Sequence, residues 1–148
     1  MSLSTVDGKP ASGGHMKASC QCGQLHVDVP GPTVAVVACH CLACQKRSGS
    51  PFGVAAYYPH VQVEVNGISK QFSRPTELGE RFDHFFCPDC GTTVFMRGKK
   101  NPDMTGIPIG LIDDQHAMQP VRSVWEDRRH AWVEIPTAVQ HFSRGRVG

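Results

Sequence analysis

The sequence has few aromatic residues and no long hydrophobic run. Phenylalanine, tryptophan and tyrosine make up 7% of its 148 residues, so the apolar core must be modest. No segment approaches the length of a membrane-spanning helix, and no charged-then-apolar leader opens the chain. We therefore expect a soluble, cytoplasmic protein of one domain, with no membrane partner.

A strong excess of charge of either sign is also missing. The 15 Lys and Arg residues and 13 Asp and Glu residues leave a formal charge of +2, and the basic residues are scattered along the chain. Nucleic-acid binding requires a basic patch or stripe, so no nucleic-acid partner is expected. Glycine and proline are plentiful, at 15 and 11 residues, which indicates many turns.

Against this background the seven cysteines stand out, because three of them lie within six residues. Cys39 and Cys41 lie on one face of an extended segment, and a turn can bring Cys44 back toward them. Such a segment offers a metal three thiolates and leaves the fourth tetrahedral position free, as catalytic zinc sites require. We predict a catalytic metal site at this cysteine trio, Cys39, Cys41 and Cys44.

The remaining four cysteines form two pairs, Cys20-Gln21-Cys22 and Cys87-Pro88-Asp89-Cys90. In the second pair Pro88 presets a turn dihedral and the following Gly91 can adopt positive φ, as in a zinc knuckle. Two such pairs complete a closed four-sulfur site of the structural kind. We therefore interpret the seven cysteines as one site of four ligands and one site of three.

Other groupings are possible. Cys20 and Cys22 could join Cys41 and Cys44, which would leave Cys39 to pair with the knuckle. A disulfide framework is disfavoured by the odd number of cysteines and by the expected intracellular location. Iron is a further possibility, since thiolates at these spacings also bind it.

The hydrophobic pattern predicts a mainly β protein of antiparallel sheets stapled by zinc. We interpret residues 1–15 as an expression leader and residues 16–148 as a single domain. Asn66-Gly67 predicts a hairpin between the segments 61–65 and 68–73. After Cys44 we expect at most a helical turn and a loop. The other predicted features are strands at 25–29, 33–38, 52–58, 81–86, 92–96 and 107–112, an exposed charged loop at 126–129 and a helical tail from 136.

Residues around the trio are candidates for further roles. The basic pair Lys46-Arg47 either compensates the thiolate charge or anchors an anionic substrate. His40 and His84 have suitable chemistry for a general acid or base. Alternation along an extended segment directs His40 away from the metal, and the flanking phenylalanines favour a place for His84 at the edge of the core.

The three cysteine motifs, taken in order, resemble those of the glutathione-dependent formaldehyde-activating enzyme family, also called the GFA or CENP-V domain. The matching segments are 20–23, 39–49 and 86–92, and the resemblance covers residues 17–145. It implies an Mss4-like fold with two zinc ions. By this resemblance, Cys20, Cys22, Cys87 and Cys90 hold a structural zinc, and Cys39, Cys41 and Cys44 hold a catalytic and more labile one.

The resemblance also implies a zinc-dependent carbon–sulfur lyase that acts on an adduct of glutathione, or a similar thiol, with an aldehyde such as formaldehyde. We predict that Lys46 and Arg47 meet a substrate carboxylate and that Ser48 and Gly49 supply backbone donors. The alternative is a zinc-stabilised binding module without catalysis, which a fourth protein ligand at the trio would favour.

Overall fold

A computed structural model of the protein describes residues 15–113 and 118–145. The leader predicted for residues 1–15 lies outside these residues, except for His15. The described residues form one α-helix, α1 (Leu42–Ser48), together with short strands and 3₁₀ segments. The strands are β1 (Met16–Ser19), β2 (His26–Val29), β3 (Ala35–Cys39), β4 (Gly53–Pro59), β5 (Glu64–Asn66), β6 (Lys70–Pro75), β7 (Arg81–Phe86), β8 (Thr93–Gly98), β9 (Met104–Pro108), β10 (Arg122–Val124) and β11 (Gln140–His141).

The strands build two sheets, and the mainly β prediction is confirmed. The smaller sheet has the order β1-β2-β5, and the larger has the order β11-β10-β3-β4-β9-β8-β7-β6. Most neighbouring strands are antiparallel, as predicted, but β10 runs parallel to both β3 and β11. The larger sheet is therefore mixed. No helix in the described ranges is long and apolar enough to cross a membrane.

The main core lies between the two sheets. Val27 and Val29 on β2 are fully buried there, and they pack with Ala56 and Tyr58 on β4 and with Ile107 on β9. Side chains alternate between the two faces of a strand, so the even-numbered residues of β4 point toward this core and the odd-numbered residues point away from it. The cysteine trio lies on the second face.

The hairpin predicted at Asn66-Gly67 is wrong. β5 pairs with β2 in the smaller sheet, whereas β6 pairs with β7 in the larger one, so the glycine links two sheets. Gly67 has φ of +101°, and a Cβ atom built there would lie 2.0 Å from the backbone oxygen of Gln24. Close approach of another backbone is the reason for glycine at this position.

The turn predicted to bring Cys44 back toward Cys39 and Cys41 is the start of a helix, α1, which runs from Leu42 to Ser48. After Cys44 the helix continues for about one turn and then ends in a loop, as predicted. The sulfur of Cys41 caps the helix by accepting a hydrogen bond from the backbone N–H of Cys44, and Gly49 ends it with left-handed φ of 68°. These two residues carried the helix signals that the sequence interpretation missed.

Three other predictions also need correction. The strand predicted at residues 107–112 ends at Pro108, and Ile109–Leu111 forms a 3₁₀ segment. Within the described part of the tail, β11 is present rather than a helix. The charged loop predicted as exposed contains the 3₁₀ segment Glu126–Arg128, in which Glu126 is partly buried.

Candidate metal centre

The four outer cysteines meet in one cluster, although the two pairs lie more than 60 residues apart in the sequence. The ligand atoms of Cys20, Cys22, Cys87 and Cys90 all lie within 4.8 Å of one another. The Sγ atoms of Cys20 and Cys22 are 3.6 Å apart, and those of Cys22 and Cys87 are 3.7 Å apart. Tetrahedral zinc with bonds of about 2.3 Å separates its sulfurs by about 3.8 Å, so this four-cysteine site fits the metal.

Several polar groups donate hydrogen bonds to these sulfurs. Gln24 Nε2 lies 3.0 Å from Cys87 Sγ, and the backbone N–H of Asp89 donates to the same sulfur at 3.4 Å. The hydroxyl of Thr92 lies 3.3 Å from Cys90 Sγ, and this contact, followed by a backbone hydrogen bond from the same residue, lowers the pKa of Cys90 to about 5. Hydrogen bonds of this kind stabilise the thiolate form that a metal requires.

The trio forms a second, separate cluster. Cys39 ends β3, Cys41 precedes α1 and Cys44 lies in the first turn of the helix, so the change from strand to helix brings the three sulfurs within 4.8 Å of one another. The neighbouring Cys39 thiol, followed by that of Cys44, lowers the pKa of Cys41, whereas the proximity of Cys41 raises the pKa of Cys39. Three soft sulfur donors suit zinc. No fourth His, Cys, Asp or Glu of the described chain joins this cluster.

The partition into four and three therefore matches the predicted groups, and the alternative grouping across them does not form. The clusters establish that two metal ions can be held.

His40 lies between two ligands but turns away from them. Its ring is fully buried, and its Nε2 lies 2.9 Å from the hydroxyl oxygen of Ser123 on β10. The ring also packs beside Phe52, with centroids 5.4 Å apart. The trio therefore does not gain a fourth ligand from His40.

The two members of the basic pair have different surroundings. Lys46 is exposed, whereas Arg47 lies beside Gly53 and Cys44. A Cβ atom built at Gly53 would lie 2.9 Å from Arg47 Nη2 and 3.6 Å from Cys44 Cβ. The Nε atom of Arg47 is buried and has no hydrogen-bond partner. A buried guanidinium donor without an acceptor is costly, unless a ligand supplies the acceptor.

Ser48 and Gly49 form the end of α1. The hydroxyl of Ser48 donates to the backbone oxygen of Cys44 at 2.9 Å, and the backbone N–H of Gly49 donates to the backbone oxygen of Gln45 at 2.8 Å. The N–H of Ser50 donates to the Ser48 hydroxyl at 3.2 Å. The predicted role of Ser48 and Gly49 in substrate binding stays a prediction, and the N–H groups of Gly49 and Ser50 already have partners within the helix end.

Sequence reasoning did not single out Tyr57 and Arg74 as site residues. Burial, followed by the negative charges of Cys44 and Cys39, raises the pKa of Tyr57. The charge of Arg74 contributes to lowering the pKa of Cys41. Alternation along β4 from Gly53 could have indicated Tyr57, but Arg74 is brought to this face only by the strand order of the sheet.

His84 is buried on the same face, which points away from the main core. Its Nε2 accepts a hydrogen bond from Arg74 Nε at 3.4 Å. Burial, followed by the positive charges of Arg74 and Arg47, lowers the pKa of His84 to about 4. The ring is therefore neutral near pH 7, and its Nε2 lone pair is already used.

Comparison with known proteins agrees with the cysteine pattern. The family model of the glutathione-dependent formaldehyde-activating enzyme matches residues 15–128. A Penicillium rubens protein, whose name assigns it provisionally as a glutathione-dependent formaldehyde-activating enzyme, is 25% identical over 127 residues. That alignment covers 80% of this chain but only 66% of the relative, slightly less than two thirds of its length.

A solved structure supports the fold. The crystal structure of a Rhodobacter sphaeroides protein superposes with a TM-score of 0.55 at 22% sequence identity. The match covers 67% of this chain and 89% of that protein. At this identity the likeness concerns the fold alone.

Proposed function

This chain belongs to the glutathione-dependent formaldehyde-activating enzyme family, and we propose that it is a zinc-dependent carbon–sulfur lyase. Its substrate would be the adduct of glutathione, or a similar thiol, with an aldehyde such as formaldehyde. The observation that carries the proposal is the trio: three sulfurs within 4.8 Å of one another, with no fourth ligand from the described chain. That set leaves one tetrahedral position for a substrate sulfur.

The two cysteine clusters would hold zinc in different roles. Cys20, Cys22, Cys87 and Cys90 form a complete ligand set, which is typical of a structural site. Cys39, Cys41 and Cys44 would hold the catalytic ion. When bound there, zinc would lower the pKa of an incoming thiol and so supply a nucleophile near neutral pH.

Arg47 would bind a carboxylate of the substrate. Glutathione carries two carboxylates, and a guanidinium group binds a carboxylate through paired, charge-assisted hydrogen bonds. The buried Nε of Arg47 has no partner within the described residues, and the side chain lies beside Cys44. A thiol held at the trio therefore has a cation close to its sulfur. Lys46, which is exposed, would add a weaker and more screened attraction.

In the forward direction, the sulfur of the thiol forms a bond to the aldehyde carbon. The electron pair of the carbonyl π bond moves to oxygen, which takes a proton from water, while the thiol proton has passed to water. Cleavage is the reverse. We expect this chemistry in the cytoplasm, where glutathione is abundant and cysteine thiols stay reduced.

Exchange NMR spectroscopy tests the proposal. Glutathione and formaldehyde are mixed at equilibrium with the adduct, and the exchange rate is measured with zinc-loaded protein, with the Cys41→Ser variant and without protein at matched zinc concentration. We expect faster exchange only with the wild type. A wild-type rate equal to the protein-free rate would contradict the lyase proposal. Binding of glutathione without faster exchange would instead indicate a zinc-stabilised binding module.

A further inference from the structure

Two adjacent tyrosines on β4 face opposite sides of the larger sheet. Tyr58 points into the core between the sheets and is 1% exposed. Tyr57 is paired with Ala35, and Gly53 is paired with Cys39 on the same two strands. Paired residues of an antiparallel ladder, and residues two apart along a strand, share a face. Tyr57 therefore lies on the face that carries the trio.

The hydroxyl groups of the two tyrosines differ in their partners. The hydroxyl of Tyr58 donates to Met118 Sδ at 3.8 Å. Tyr57 is half-buried, and its hydroxyl makes no hydrogen bond within the described chain. The Tyr57 hydroxyl is thus free to donate to a ligand. An ordinary tyrosine is protonated at neutral pH, with a pKa near 10.

The position of the Tyr57 ring depends on a glycine in the next strand. Gly106 on β9 is directly opposite Tyr57. A Cβ atom built at Gly106 would lie 2.9 Å from Cε1 of the tyrosine ring and 3.1 Å from its Cζ. Any larger residue at this position would displace the ring. The ring therefore lies across β9 because residue 106 has no side chain.

We propose that the Tyr57 hydroxyl donates a hydrogen bond to the aldehyde oxygen while the carbon–sulfur bond forms or breaks. This inference rests on the proposed lyase function and assigns its missing oxyanion donor. Negative charge develops on that oxygen when sulfur attacks the carbonyl carbon, and a fixed donor stabilises it. Tyr57 keeps its own proton throughout, and protons enter and leave through water as described above.

The two histidines considered for acid–base chemistry are less suitable. His40 faces Ser123 on the other side of the ligand segment. His84 already accepts a hydrogen bond from Arg74 through Nε2. Tyr57 has a free hydroxyl, and it lies close enough to the trio for the thiolate charges to contribute to raising its pKa, after the larger effect of burial.

The two tyrosines provide a matched pair of variants. In the exchange assay, Tyr57→Phe should lower kcat roughly 100-fold, the usual effect of removing one oxyanion donor. Its zinc content and its glutathione affinity without aldehyde should stay within about twofold of the wild type. Tyr58→Phe removes a hydroxyl from the opposite face and should leave kcat within about threefold. Gly106→Ala, checked for retained zinc and a cooperative melt, should also slow exchange because it displaces the Tyr57 ring.

The possible outcomes distinguish the role of Tyr57 from the lyase function on which it rests. If the wild type accelerates exchange but Tyr57→Phe retains the rate of Tyr58→Phe, the role of Tyr57 is wrong and the lyase proposal stands. The role of Tyr57 is also wrong if Tyr57→Phe lowers the affinity for glutathione by the same factor as it lowers the exchange rate. In that case Tyr57 would bind glutathione and would not stabilise the aldehyde oxygen. A folded Gly106→Ala protein with the wild-type rate would overturn the placement of the ring. A wild type without activity overturns both proposals.

Discussion

The Nε2 atom of His40 lies 2.9 Å from the hydroxyl oxygen of Ser123, and neither side chain has any exposed surface. The backbone N–H of His40 also donates to the backbone oxygen of Val124 at 3.1 Å. Gln45 on α1 donates to the backbone oxygens of both His40 and Arg128, at 2.8 and 3.2 Å. The segment that carries the trio is thus held against β10 and the turn after it.

Replacing Ser123 with Ala should destabilise the protein by about 1–3 kcal/mol, because it leaves the buried His40 Nε2 without a partner. Urea unfolding measures this difference. Ser143, which is exposed, provides the control, and Ser143→Ala should change stability by less than about 0.5 kcal/mol. Equal unfolding midpoints for the two variants would contradict a role for the buried contact.

Replacing Cys87 with Ser should release the metal of the four-cysteine site and lower Tm by roughly 10 °C or more, because zinc binding at such a site is part of the folding free energy. Metal analysis and thermal melting follow the two effects. Cys44→Ser is the matched change at the trio and should lower Tm much less. A Cys87→Ser protein with wild-type zinc content and Tm would refute the structural role.

A mild chelator should remove zinc from this protein in two steps. The trio offers three ligands and the other cluster four, so the trio should lose its metal first while the fold persists. Zinc release and circular dichroism are recorded in one titration. Loss of both equivalents in a single step that coincides with unfolding would show that the sites are not independent.

Arg47→Ala should weaken binding of glutathione by about 10- to 100-fold, the loss expected for a charge-assisted hydrogen bond of about 1.5–3 kcal/mol. Lys46→Ala, which removes the exposed neighbouring cation, should weaken it by less than about threefold. Calorimetry on zinc-loaded proteins measures both affinities.

Glutathione diethyl ester is the control ligand for Arg47, because it keeps the thiol and lacks both carboxylate charges. Its affinity should respond little to either variant. If Arg47→Ala weakened the ester as much as glutathione, the side chain would have a packing role instead of a carboxylate-binding role.

Gly67→Ala should destabilise the protein more than Gly79→Ala. Both glycines have positive φ, at +101° and +85°, so both substitutions strain the backbone by about 1 kcal/mol. Only at Gly67 would the new Cβ also meet a backbone atom, the oxygen of Gln24 at 2.0 Å, whereas nothing lies within 4 Å at Gly79. Equal losses of stability in urea would show that the backbone near Gln24 can move away from the new Cβ without loss of free energy of unfolding.

Much of the arrangement of the cysteines could be predicted from the sequence. The trio and the knuckle between β7 and β8 follow from local spacing, since i, i+2 and i+3 neighbours lie close in a turn. The four-cysteine cluster also needs long-range pairing, because Cys22 and Cys87 are 65 residues apart. The direction of His40 follows from alternation in the same way. Fold class and family follow from the order of the motifs.

The partners of each strand were decided only by the tertiary structure. Asn66-Gly67 is a strong local hairpin signal, yet β5 and β6 join different sheets, because their side chains are buried by strands distant in the sequence. The same long-range pairing carries Arg74 on β6 and Tyr57 on β4 to the face of the trio, and it presses Ser123 against His40. Local spacing shows which cysteines can bind a metal together with their neighbours in sequence. The residues around them are set by pairing between distant strands, because that pairing is stabilised by burying apolar side chains from several segments at once.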